Sequence, residues 1–243
     1  GNVTNGQTIT VRLTSSGSFS TAVSTTLTVG GVAGSYTVTT LAADTTPDAF
    51  GNFTAVTASQ LSTVNTSNAK TVTGLNTSTA VSISGNGTFS IAGGAYGTTG
   101  NISNNQSITV RLTSSGSFST AVSTTLTIGG ITGSYTVTTL AADTTPTAFG
   151  NFTAVTASEL STVNTSTSKT ITGINTSTAV SISGNGTFSI AGGGYTTSGN
   201  VTNGQTITVR LTSSGSYSTA VSTTLNVGGI TGSYSVTTRA QAQ

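Results

Sequence analysis

Four carboxylates make up the whole acid inventory of this 243-residue chain: Asp44, Asp48, Asp143 and Glu159. There is no His and no Cys, so neither a Ser–His nor a Cys–His nucleophile pair can be assembled, nor a transition-metal cluster of the usual ligands. A glycosidase needs two carboxyl groups at a set separation across a cleft. Asp44 and Asp48 instead flank Pro47, and Thr147 stands where the next copy would repeat Asp48. No enzyme and no cofactor are expected. Calcium asks for roughly six to eight oxygen ligands, several of them carboxylates, so Asp44 and Asp48 at the first junction are weak calcium candidates. The plainer reading has Asp44 and Asp143 accepting turn hydrogen bonds from following amides.

The cations are as sparse. Six Lys and Arg give a net charge of +2, and charged residues are 4% of the chain against about 25% in ordinary soluble domains. Scattered singly, they are too dilute for the phosphate contacts that drive nucleic-acid binding. Each complete unit has one Lys, Lys70 or Lys169. A Lys–Asn isopeptide crosslink would suit a fibre, but Gln60 stands where the next copy has Glu159, so the copies share no acid partner for it. Ser, Thr, Asn and Gly supply the polar surface. A surface so nearly neutral favours association or glycan cover, and Asn-X-Ser/Thr recurs at Asn52, Asn65 and Asn76 among others. Glycans are therefore a candidate partner. No apolar run approaches the roughly 18 residues of a membrane span.

What must position these residues is a repeat. Gln7–Leu27 returns at Gln106–Leu126 and again at Gln205–Leu225, a period of 99 residues. Ile9, Val11 and Leu13 alternate with polar neighbours, and after a Ser-Ser-Gly-Ser turn Val23 and Leu27 fall on a second alternation. That is the period of half-buried strands. Gly1–Ala43 matches Gly100–Ala142, the second half of a unit. The expected domains are thus an incomplete half-module at 1–43 and complete modules at 44–142 and 143–243, joined by stiff LAADTTP connectors.

The first complete copy shows about seven strand candidates and no helical period. They are Ala49–Val56, Lys70–Leu75, Ala80–Ser84, Thr88–Ala92, the two strands of the opening pair, and Ser134–Leu140. Gly85-Asn86-Gly87 between alternating runs predicts a hairpin. Seven short strands with turns every 8–12 residues predict an all-β fold of tandem immunoglobulin-like β-sandwiches, with a barrel as the alternative.

DTTPDAF at the junction, GNGTFSIAGGAY, NNQSITVRLTSS and TLTIGGITGSYTVTT resemble the tandem Ig-like repeats of large bacterial surface and secreted proteins, of adhesin-stalk or extracellular-fibre type. The resemblance covers essentially the whole chain and concerns a repeat type rather than an activity. It implies an extracellular or cell-surface location, a structural or adhesive role, and no catalytic residues. The expected function is a structural segment of an extracellular fibre; the alternative is the stalk of an adhesin whose binding domain lies elsewhere. Residues 1–43 lack the partner strands of their sandwich, and unpaired edges recruit strands. Ile9, Val11, Leu13, Val23 and Leu27 are the candidate assembly interface. The expected partner is another copy, in a homopolymer joined by strand pairing, unless Gly1 marks a cut end.

Overall fold

The computed structural model describes residues 1–243, which form strands and turns and no helix. They divide into two compact units, Gly1–Leu140 and Ala141–Gln243. The first unit begins with β1 (Ala22–Val29) and β2 (Val32–Thr39). Nine strands follow: β3 (Val56–Ser59), β4 (Val64–Thr66), β5 (Lys70–Thr71), β6 (Thr79–Ile83), β7 (Thr88–Ile91), β8 (Thr99–Ile102), β9 (Ser107–Thr113), β10 (Ala121–Ile128) and β11 (Ile131–Thr139).

These nine build two sheets. One runs β3-β11-β10-β6-β8; in the other, β9 pairs with β4 and β5 along one edge and with β7 along the opposite edge. The ladders stay separate, so the module is a sandwich and not a barrel. All pairings are antiparallel except β3 with β11, where Val56 faces Val137 and the register shifts before Ser59 reaches Thr139. The period of two does the packing: Ile108, Val110 and Leu112 of β9 point inward against Leu126 and Ile128 of β10 and Tyr135 and Val137 of β11. Phe53 meets Tyr135 edge to face at 6.3 Å, the favoured aromatic geometry.

Gly129 and Gly130 close the β10–β11 hairpin with φ of +52° and +88°, the doubly positive conformation that glycine takes at no steric cost. A Cβ on Gly129 would also strike the Thr45 carbonyl and the Pro47 ring, so the connector lies against this turn. The second unit repeats all nine strands as β12 (Val155–Ser158) through β20 (Ile230–Thr238), each 99 residues after its counterpart and with the same pairings.

Four local expectations are corrected. The Gly85–Gly87 stretch is no hairpin: β6 pairs with β10 and β8, β7 pairs with β9, and the bend carries the chain from one sheet to the other. Gly85 alone takes a positive φ there, +69°, and the space of a Gly87 side chain is filled by the Thr124 hydroxyl. Ala49–Val56 is not a strand until its last residue. The Ser134 N–H, which a ladder would use, donates to the Asn52 side-chain Oδ1 at 2.9 Å, while Phe53 N–H donates to Ser134 O. Lys70–Leu75 keeps only two strand residues, and the polar run before it supplies β4. The first strand of the opening pair, Thr8–Thr14, is absent from residues 1–43 although β9 forms from nearly the same sequence.

Candidate assembly surface

The missing strand defines the site. In the closed copy, β9 receives all its ladder bonds from β4, β5 and β7, and residues 1–43 contain no counterpart of those three. Thr8–Thr14 has the alternation of a strand but nothing to pair with, and backbone groups that find no partner strand stay with solvent. The hairpin that needs only itself does form: β1 pairs with β2 from Ala22↔Thr39 to Val29↔Val32, the register of β10 with β11.

Side chains follow the same logic. Ile9, Leu27, Val29 and Tyr36 are 43%, 37%, 40% and 47% exposed, while their counterparts Ile108, Leu126, Ile128 and Tyr135 are at 0%. Fully burying such a side chain is worth roughly 1.5–3 kcal/mol, so each leaves about 1 kcal/mol unrealised. Ile9, Leu27 and Val29, with Val3, line an open groove of about 680 Å³. A smaller hollow of about 410 Å³ lies beside Phe19, Val38 and Leu41.

Of the five interface residues read from the sequence, the structure brings Ile9 and Leu27 into the groove. Val11 and Leu13 are half-buried where Val110 and Leu112 are buried. Val23 is half-buried, and so is its counterpart Val122, so its exposure does not depend on closure. Val3, Val29 and Tyr36 belong to the face and were not singled out. Counting the alternation of β10 and β11 onward from Leu27 would have reached the latter two.

The acidic residues are tied up locally. Asp44 Oδ1 accepts the Thr46 N–H at 3.0 Å, as Asp143 Oδ1 accepts that of Thr145, and the Asp44 N–H donates to Asn76 Oδ1. Asp48 Oδ2 accepts the Thr73 hydroxyl at 2.9 Å. No three His, Cys, Asp or Glu side chains come together. Glu159 meets Arg239 at 2.8 Å on the surface. The first unit has Gln60 and Leu140 at these positions. Lys70 and Lys169 are half-buried in β5 and its counterpart Lys169–Thr170.

The Arg111 guanidinium sits 3.7 Å above the ring centroid of Tyr96, with Nε donating to the Thr66 hydroxyl at 3.2 Å. Tyr195 and Arg210 repeat this at 3.7 Å. One ring face is therefore already taken by a cation–π contact. Several sequon amides are structural as well: Asn76 Nδ2 donates to Ala42 O, and Asn65 Nδ2 to Ser59 Oγ and Thr63 O. Burial pushes the phenols of Tyr135 and Tyr234 above their ordinary pKa, and neither hydroxyl has a hydrogen-bond partner.

Sheet composition and strand pairing define the class: an all-β chain with tandem immunoglobulin-like sandwiches. No protein-family model and no curated protein sequence matches the chain. Among solved structures it is similar to the titin domains Z1Z2 in complex with telethonin, at 13% identity and a TM-score of 0.45, covering 81% of this chain and 97% of that one. The titin I9–I11 tandem gives 12%, 0.26, 90% and 74%. Domains 4–9 of the surface layer protein SbsC give 13%, 0.30, 91% and 35%. Likenesses this distant add nothing to the strand pairings, which carry the fold assignment by themselves.

Proposed function

We propose that the chain is a structural segment of a bacterial extracellular fibre made of tandem Ig-like modules, acting without catalysis. The observation that carries this reading is the tandem itself: nine strands with the same pairings recur 99 residues apart in two closed sandwiches of nearly the same sequence. Near-identical modules suit an array in which every module meets the same kind of neighbour. The scarcity of charge supports the reading too, because little self-repulsion opposes side-by-side packing of chains.

Immunogold labelling of cells that make the protein, viewed by negative-stain microscopy, is the test. Gold in rows along continuous filaments is the expected result. Single short rods at the cell surface would sink the fibre in favour of the stalk of an adhesin.

A further inference from the structure

We infer that each closed module carries a small binding site for an acidic sugar, with the guanidinium of Arg111 or Arg210 receiving the anion. The inference is independent of the fibre reading, because it concerns the outer face of the sheet built on β9 and its counterpart in the second module.

Strand pairing sets the site out. Arg111 is on the outward side of β9, opposite Thr66 of β4 on one flank and Thr88 of β7 on the other. Two residues on, Thr113 lies opposite Val64. The turn after β7 folds back on that strand, Phe89 and Gly97 exchanging backbone hydrogen bonds of 2.8 and 2.9 Å. Tyr96 in this turn brings its hydroxyl to 3.1 Å from the Thr109 hydroxyl, so its ring lies along β9 towards Arg111. The result is a hollow of about 270 Å³ with Asn86 on its wall. The equivalent residues enclose about 260 Å³ around Arg210 in the second module. Ala95 and Gly97 become Gly194 and Thr196 there, yet Tyr195 keeps its ring 3.7 Å from Arg210.

Three features of the hollow point to its ligand. The guanidinium is fixed by the ring and by Thr66, but only through Nε. Its terminal nitrogens meet no protein acceptor, and the ion pair of this chain lies elsewhere, between Glu159 and Arg239. A planar fork held in this way matches a carboxylate or a sulfate, and its ordering has already been met on folding. Val64 and Val163, at 59% and 58%, are the most exposed large apolar side chains of residues 44–142 and 143–243. Each therefore offers the apolar contact that the C–H face of a sugar ring takes. The hydroxyls of Thr88 and Thr113 and the Asn86 amide line the same hollow without a protein partner, and they suit ring hydroxyls. Nucleic acid calls for several cations together, and each hollow has one. A single site of this size binds weakly; one per module lets a polymer of acidic sugars be held by many.

The test titrates the full chain, labelled with nitrogen-15, with oligogalacturonate. Amide shifts should move at Thr66, Arg111 and Thr113, and at Thr165, Arg210 and Thr212. The Arg111→Gln, Arg210→Gln double variant should bind at least about tenfold more weakly, with both melting transitions kept as the sign of intact folding. Lys70→Gln with Lys169→Gln removes the same charge elsewhere and should bind as the parent does. Dextran sulfate against dextran separates the two anions: shifts larger with the sulfate name a sulfated sugar, shifts larger with the uronate a carboxylated one, and either supports the site. Absence of shifts at these residues with both polymers overturns the inference. So does binding of the methyl-esterified oligogalacturonate, or of polyglutamate, as tightly as the free uronate, or an equal loss in the lysine double variant.

Discussion

Leu27, Leu126 and Leu225 end three 21-residue stretches that differ from one another at two positions at most, so the same substitution at each largely separates closure from local sequence. Leu126 and Leu225 are 0% and 1% exposed, Leu27 is 37%. Leu→Ala in a packed core costs about 2–5 kcal/mol, the lost transfer energy plus the cavity left behind. A middle value of about 3 kcal/mol in a module of some 100 residues lowers its melting temperature by roughly 12–24 °C. Leu27→Ala removes a side chain that already faces solvent and leaves no closed cavity, so its cost stays below about 1 kcal/mol. Scanning calorimetry reads all three. Leu126→Ala should pull the melting of the first module down and split the endotherm, Leu225→Ala should do so for the second module, and Leu27→Ala should leave both transitions in place. A shift for Leu27→Ala as large as that for Leu126→Ala would refute the open face. So would a Leu126→Ala shift of only a degree or two.

Other perturbations follow from particular contacts. Tyr135 and Tyr234 have their phenol pKa raised in the folded state, so the folded chain holds these protons more tightly than the unfolded one. Their contribution is fully present below about pH 10 and is lost as pH rises from there through the folded pKa, by at most about 1.4 kcal/mol per pH unit for each. Urea melts at rising pH should steepen above pH 10 and flatten in the Tyr135→Phe, Tyr234→Phe double variant, which at neutral pH should be as stable as the parent or more so, its lost hydroxyls having had no partner. The Glu159–Arg239 pair is exposed, and a double-mutant cycle should give under about 1 kcal/mol, falling with salt. Millimolar calcium should leave both melting temperatures unmoved, because Asp44 and Asp48 are engaged by Thr46 and Thr73; a rise lost in Asp48→Thr would place a calcium ion at the first junction.

Much of the fold was legible because the alternation of apolar residues is itself the inward face of a sandwich. β9, β10, β11, β6 and β7 all sit on runs whose period of two stands in the sequence. What was not legible depends on partners distant in the chain. Gly85-Asn86-Gly87 carries the local marks of a hairpin, yet Val81 and Ile83 pair with β10 while Phe89 and Ile91 pair with β9, and tertiary pairing decides. β8 escaped notice because Thr99-Gly-Asn-Ile has one apolar residue, and it is a strand only because Thr79–Ser82 offers it an edge. Asn52 ends the ladder before β3 through a side-chain bond that no periodicity announces. The open apolar groove was half legible: Ile9 and Leu27 follow from the repeat, whereas the size of the gap depends on Val3 and Val29 coming round to the same groove.

The three copies of one sequence show how little of a strand is local. Ile-Thr-Val-Arg-Leu is a strand at 108–112 and at 207–211, and is no strand at 9–13. Propensity, alternation and turn are the same in each, so they do not separate the outcomes. The presence of β4, β5 and β7 does. β1 and β2 mark the other limit: a hairpin closed by Gly30 and Gly31 carries its own partner and keeps full register without the rest of the sandwich. Residues 1–43 therefore hold both outcomes side by side, a formed hairpin with its own partner and a segment that has the alternation of a strand and no ladder to join.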